Sequence, residues 1–414
     1  MATKEKIPGR GMLLTSFGWI AILLSYFGTF ALGLILPYMC EEMGLDSVSL
    51  GSSLSSLAFL VKVIVYIPLA MFAARANPKY FLAIVYIMLG GSLILHGLAN
   101  NVTGLYVGRI MMAAAGSGIM APLALVKTNW IPKSRLGGLN GIENAVGTVG
   151  QYFALSVTVP LIGILGSWRS VLAIFGGIGV IIGVLWIVLF KENEAVGKIV
   201  PAQKKPFFQP IGEALKHRSV WLLGIGWPGT TLVWIAITTF WPTYAAEDLG
   251  ISLEVSGVLL GLIPVGSIIG SLTAPKLADM IGVDKLMLWP WGLILPVMYF
   301  LPLVISNVPL IAVCFFIAGY GAYAFVPVAM THVYKLPGIS PAAIGGGISF
   351  ILTLTSLGGT LAGVLVNALY GSLGLAGALK VCCLSPLLWF ATTIFLPEYG
   401  RKAMAKKAAE EAAQ

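Results

Sequence analysis

The sequence predicts an all-α, polytopic membrane protein with twelve transmembrane helices in two bundles of six. Three observations predict it. The chain has 414 residues, 58% of them hydrophobic and only 10% charged, with a mean hydropathy of +0.94; soluble domains carry about 25% charged residues. Its apolar residues fall in runs of about 20 or more, the length a helix needs to cross about 30 Å of hydrocarbon. One polar segment, 191–218, divides these runs into two equal sets. A β-barrel is excluded because its strands would alternate polar and apolar residues. The 50 Gly and 23 Pro suit membrane helices, whose neighbours re-satisfy freed backbone groups.

The spans follow in order. The first, at 13–39, has an apolar run too long for a signal-peptide core of about 7 to 15 residues and lacks a small-residue cleavage site, so it is expected to stay in the mature protein. Spans at 49–73, 80–98, 104–126, 137–163 and 170–190 complete an N-terminal bundle, 1–190. Lys191 to Arg218 reads as a linker with a short surface helix. Spans at 219–243, 254–275, 285–305, 308–330, 342–369 and 375–397 make the C-terminal bundle, 219–397, before a tail at 398–414.

Charge sets the orientation. With the amino terminus inside, 21 of the 25 Lys and Arg fall at that terminus, in alternate loops or in the tail. The opposite loops carry Glu41, Glu42, Asp46, Glu247, Asp248 and Glu254, with Arg169 as their cation. The positive-inside rule therefore places both termini in the cytoplasm. The net charge of +9 needs no nucleic-acid partner, since it serves topology and attraction to anionic lipid heads. Asn101-Val-Thr103 fits a glycosylation sequon, which chance explains better on so short a turn.

The two halves repeat. A shift of 205 residues lays Gly116 on Gly321, Pro122 on Pro327 and Pro132 on Pro337, and stacks Asn144, Thr148 and Gln151 on Ser349, Thr353 and Ser356. A parallel repeat joined by a cytoplasmic linker is the logic of alternating access around a central site.

Over almost its whole length the chain resembles the major facilitator superfamily. Gly270-Ser-Leu-Thr-Ala-Pro-Lys-Leu-Ala-Asp279-Met-Ile-Gly282-Val-Asp-Lys285 is similar to that family's loop motif after span 8. Leu105-Tyr-Val-Gly-Arg109 followed by Ala113 to Gly118 is similar to its span 4 motif, and Trp168-Arg169 to another common element. The first-half loop motif is eroded, with Ala74 where the acid belongs and Arg75 and Lys79 surviving. The resemblance thus implies a gating role for Asp279 rather than for the loop between spans 2 and 3.

Intramembrane charges carry the functional reading, because each costs about 2.5 to 3.5 kcal/mol at a helix centre on insertion scales. They are Lys62, Arg109, Glu143 and Lys380. Lys380, near a span end, can snorkel. For Arg109 two readings stand: satisfaction by carbonyls of neighbouring helices, or the proton-coupling role that the family resemblance implies. Lys62 lies about 20 Å into span 2, at the midplane. The stripe Ser52, Ser55, Phe59, Lys62, Tyr66 gives that span a polar and aromatic face. Lys62 is expected to bind substrate or gate, the alternative being a buried ion pair with Glu143. For Glu143, beside Asn144 and on a stripe with Gly147 and Gln151, two readings also stay open: a carrier of the coupling proton, or a partner of Lys62 or Arg109.

The second half offers a lining without deep charge. Thr231 and Trp234 of span 7, Tyr323 of span 10 and Ser356 of span 11 join Tyr26, Asn144 and Gln151 as candidate substrate contacts. Ser and Thr stripes also glue helices together, but deep Trp and Tyr suit an organic-substrate pocket. The four Cys and three His show no metal or redox spacing, so no cofactor or metal is expected. No nucleophile, acid/base pair or metal cluster shares one depth, which disfavours an intramembrane enzyme; a sensor without transport activity is also less favoured. The expected function is secondary transport of a small, monovalent anion such as a monocarboxylate, with protons as a candidate coupling ion. Membrane lipids are its other expected partners, and the setting is a monomer in the plasma (inner) membrane. The alternative is efflux of amphipathic drugs or metabolites.

Overall fold

A computed structural model describes residues 7–73, 76–192 and 208–403. The motif positions Ala74 and Arg75, most of the linker, the end of the tail and the side chain of Asn144 lie outside the described residues. Among the described residues every element is helical. Ten helices are long and apolar enough to cross a membrane, or eleven when the pair Ala145–Ser156 and Thr158–Leu165, bent by 53°, counts as one span. They cluster into two compact units, Met1–Ser47 with Leu57–Lys205, and Val48–Ser56 with Pro206–Gln414.

The first unit holds α1 (Gly9–Phe30), α2 (Leu32–Met43), most of α3 (Ser47–Ala73), α4 (Pro78–Leu98), α5 (Val102–Ser117) and α6 (Met120–Trp130). It continues with α7 (Lys133–Ser156), α8 (Thr158–Leu165) and α9 (Trp168–Leu189). Short polar side chains start its helices by accepting from orphan N–H groups. Asn77 Oδ1 accepts from Lys79 N at 2.9 Å, Asn101 Oδ1 from Gly104 N at 2.8 Å, and Ser167 Oγ from Arg169 N at 3.1 Å. Asn101 is thus a helix cap, which accounts for its place in a sequon-like triplet.

Three expected spans, 13–39, 104–126 and 137–163, are each built from two helices. Proline explains two of the breaks, since its ring clashes with the carbonyl four residues earlier. Pro122 sets the break after Gly118, and Pro160 the break at Val157. The third, at Ala31, has no proline at that spacing.

Away from the linker, the start of α9 is clamped to the ends of α2 and α4. The Arg169 guanidinium donates to Glu42 and to the Gly97 and Ala99 carbonyls, while Trp168 Nε1 donates to Glu42 at 2.8 Å. The Arg169 and Trp168 hydrogen bonds hold the Glu42 carboxyl below the usual carboxylate range.

The second unit holds α10 (Phe208–Ala214), α11 (Arg218–Glu247), α12 (Leu253–Ile281), α13 (Trp291–Phe300), α14 (Val308–Tyr334), α15 (Pro341–Cys382) and α16 (Leu387–Thr393). Within α15, Gly374 leaves the helical region at φ 65 and ψ 179, a left-handed conformation that suits glycine. The start of α15 carries a capping box completed in trans. Ser340 Oγ accepts from Ala343 N at 3.2 Å, while the Ser340 N–H donates to Glu213 of α10 at 2.9 Å. These Ser340 contacts lower the Glu213 carboxyl from its ordinary value.

The same pairings recur in both units. By expected span order, the first packs on the fifth (α1 on α7, α11 on α15) and the third on the sixth (α4 on α9, α13 on α16). Without a hydrophobic driving force between helices in lipid, such contacts depend on close backbone approach through small residues. A Cβ on Gly90 of α4 would fall onto the Gly176 carbonyl and the Val180 nitrogen of α9, and one on Gly319 of α14 onto the Ile263 carbonyl of α12. Large apolar side chains such as Val188 and Met280 face outward, as lipid requires.

Gly319→Ala is expected to destabilise the chain by about 1–3 kcal/mol, the usual cost of overpacking. Gly91→Ala, where a Cβ meets nothing within 4 Å, is the neutral or stabilising control. Thermal unfolding of the two purified variants in one detergent checks the contrast.

Candidate functional site

Arg109 on α5 is 2% exposed, and its Nη1 and Nη2 donate to the Gly28 and Thr29 carbonyls at 2.7 and 3.2 Å. A helix that stops leaves its last carbonyls without partners. The α1–α2 break at Ala31 frees such carbonyls deep in the span, and the guanidinium caps them. Of the two readings of Arg109, satisfaction by a neighbouring helix is the one this geometry displays. His96 packs against Gly108 one residue away and joins Arg109 in lining a cavity of about 10 Å³.

Glu143 on α7 accepts from Lys127 Nζ of α6 at 2.7 Å, with side-chain exposures of 4% for Lys127 and 10% for Glu143. This corrects the expected pairing, because the cation facing Glu143 is neither Lys62 nor Arg109. Lys127 reads as a loop residue in the sequence, but α6 continues to Trp130 and carries Lys127 inside its last turn. The readable signal is Trp130-Ile131-Pro132, which ends the helix three residues after Lys127. Tyr86, fully buried, lies near enough to feel the charge on Glu143, and its hydroxyl has no hydrogen-bond partner among the described residues.

Lys62 on α3 has no carboxylate partner among the described residues. Its ammonium sits 4.6 Å from the centroid of the Phe59 ring, a cation–π contact that stabilises the charge without neutralising it. Tyr66 lies one turn on along α3, and Tyr26 of α1 lies across Gly147 of α7. Residues four apart share a helix face, so Glu143, Gly147 and Gln151 line one stripe of α7. Gln151 is 0% exposed, and both atoms of its amide lack a hydrogen-bond partner among the described residues. The structure thus gathers Phe59 with Lys62, and Tyr26 with Gly147 of the α7 stripe.

In the second unit Trp234 of α11 and Tyr323 of α14 meet with ring centroids 5.3 Å apart. Thr231 and Ser356 turn their hydroxyls back to their own helices, at 3.5 Å from Trp227 O and 3.1 Å from Leu352 O. Asp279 is exposed on the last turn of α12, with no hydrogen bond or ion pair among the described residues. The motif carboxylate that is locked is Asp284, bonded to Lys335 at 2.7 Å. Glu398 supports it by accepting from the N–H groups of Asp284 and Lys285 at 2.8 and 3.1 Å. Sequence spacing misses this network because Asp284, Lys335 and Glu398 lie far apart in the chain.

Comparison with known proteins decides the family. The sequence model of the Major Facilitator Superfamily matches residues 18–336 and 226–414. The chain belongs to that superfamily. It is therefore a multi-pass membrane protein of a transporter family. Among similar proteins is the "Probable sulfoacetate transporter" of Cupriavidus necator, 23% identical over 298 residues that cover 67% of each chain. Another is the hexuronate transporter of Bacillus subtilis (strain 168), 22% identical over 63% of this chain and 61% of its own length. The matched part thus spans about 61–67% of these two relatives. A solved bacterial homologue of the human lysosomal transporter Spinster, described as inward-facing and unoccupied, shares the fold with a TM-score of 0.73. It is 18% identical, covering 94% of this chain and 95% of its own.

Removing one member of a buried ion pair leaves an uncompensated charge and costs about 3–5 kcal/mol, whereas replacing both by apolar residues is often neutral. Glu143→Gln is therefore expected to lower thermal stability strongly. The Lys127→Met/Glu143→Leu double variant should recover most of it. Unfolding midpoints of the two variants and their parent in detergent check this.

Proposed function

We propose that the chain is a secondary active transporter of a small, monovalent anion of the monocarboxylate class, working by alternating access. The observation that carries this reading is Lys62, a deep ammonium with an aromatic neighbour and no carboxylate partner among the described residues. A cation at that depth either finds an anion or loses its charge. The substrate is proposed to supply the missing negative charge. That both relatives described above are named for organic anions supports an anionic substrate, although of the two only hexuronate carries a single negative charge and sulfoacetate carries two.

Phe59, Tyr66, Tyr26, Gln151 and Asn144 are proposed as further contacts from the first unit, and Thr231, Trp234, Tyr323 and Ser356 from the second. Gln151 supports the reading best of these, because a buried amide with no partner is costly until a ligand satisfies it. Glu143, paired with Lys127, is proposed as a gating partner that takes part in proton coupling only when that pair opens. Arg109 is proposed to hold the broken first span in shape while the carrier reorients. Asp279, exposed and without an ion pair among the described residues, is proposed as a gate carboxylate that finds a cation in another state of the cycle.

Twelve spans with both termini in the cytoplasm are proposed. Counting the bent pair as one span and dividing Ala343–Thr393 at Gly374 supports the number, and loop charge supports the orientation. The setting is proposed to be the plasma (inner) membrane, with the chain a monomer.

Counterflow in proteoliposomes, run with a panel of small organic anions that includes sulfoacetate and glucuronate, tests the proposal. Lys62→Gln is expected to cut specific exchange at least tenfold while leaving the unfolding midpoint close to that of the parent, and Lys62→Arg to retain part of it. Wild-type exchange in Lys62→Gln would remove the anion-site reading.

A further inference from the structure

At the linker end of the second unit a cavity of about 370 Å³ opens beside the start of α11. Its walls include Lys216, His217, Arg218 and Ser219 on one side and Phe395 and Tyr399, after α16, on the other. The helix behind it runs for 30 residues, yet its first turn holds no acidic residue and its N-cap, His217, makes no side-chain capping bond. The N-terminus of a helix carries partial positive charge and favours anions. Here it is flanked by Lys216 and Arg218, so cation adds to cation. The nearby carboxylates are already engaged. Glu213 accepts from Ser340 N at 2.9 Å, and Glu398 accepts from the N–H groups of Asp284, Lys285 and Gly400.

His332 is fully buried, with Nε2 3.4 Å from the hydroxyl of Ser219 and its ring 4.7 Å from that of Tyr399. Both neighbours line the cavity, and His332 Nδ1 has no hydrogen-bond partner among the described residues. The Ser219 hydroxyl, the basic side chains of Lys216 and Arg218 and the first N–H groups of α11 offer donors for phosphate oxygens along one wall of the cavity. The rim adds the other half of an amphiphile site. Phe395, which lines the cavity, is 63% exposed immediately beyond α16. A free phosphate has no use for such a rim, whereas a lipid with a phosphate head and an acyl chain matches both parts.

We propose that this cavity binds the headgroup of one anionic phospholipid, with Lys216, Arg218 and the start of α11 on the phosphate and Phe395 against the acyl chain. The site is separate from the Lys62 region, and its occupancy does not depend on which substrate is carried.

Native mass spectrometry of the full chain, released from detergent after exposure to dioleoyl phosphatidylglycerol or dioleoyl phosphatidylcholine, tests the assignment. Thermal unfolding with each lipid, and with millimolar inorganic phosphate alone, runs in parallel. Retention of one phosphatidylglycerol per chain, at least fivefold over phosphatidylcholine, is expected. Lys216→Gln/Arg218→Gln should abolish that preference, together with the lipid-specific rise in unfolding temperature. Phe395→Ser keeps every charge and should weaken retention by a smaller factor, which keeps the proposal testable if the charge variant folds poorly. Equal retention of the two lipids by the wild type would overturn the proposal. So would unchanged preference in both variants, or a phosphate-induced stabilisation as large as that given by lipid.

Discussion

Within hydrocarbon every polar group must find its partner inside the protein, because no water is there to supply one. Much of this structure follows from that constraint. The backbone meets it by forming only helical elements among the described residues. Where the first span breaks at Ala31, Arg109 reaches across from α5 and donates to two carbonyls. Buried charge meets it in the Lys127–Glu143 pair. Hydroxyls meet it by bonding back one turn along their own helices, as Thr238 and Ser267 do at 2.8 Å each. Against this background Lys62 has no carboxylate partner and the Gln151 amide no hydrogen-bond partner among the described residues, and these two groups are the ones for which a ligand is proposed.

Much of this was legible in the chain. Hydropathy places the spans, the polar linker divides them, and the motifs around Arg109 and Asp279 point to the superfamily. The breaks inside spans were harder to see, although Pro122 and Pro160 signal two of them four residues ahead. The Ala31 break leaves no such mark. It becomes understandable only once Arg109 is seen to cap it, a contact between residues about 80 positions apart.

The ion pairs were the least legible, for a simple reason. A cation one turn from a helix end and a cation in a loop look alike in sequence. Lys127 reads as topogenic charge and proves to be the partner of Glu143. Likewise Asp284 reads as the tail of a motif whose weight falls on Asp279, yet Asp284 holds the salt bridge and Asp279 is free of hydrogen bonds and ion pairs among the described residues. Tertiary pairing between residues 16 and 51 positions apart leaves no local periodicity to read.

The two units divide the chemistry. Deep charge belongs to the first, in Lys62, Arg109 and the Lys127–Glu143 pair, while the second offers the Trp234–Tyr323 ring pair and back-bonded hydroxyls. The proposed charge recognition rests on Lys62, which makes ligand charge the variable to test. The most direct measurement is calorimetric binding to the purified chain of a small monocarboxylate selected from the counterflow panel and of its primary amide, matched in size and shape but uncharged. The account predicts that the carboxylate binds at least tenfold tighter than the amide. Equal affinities for the two would contradict it.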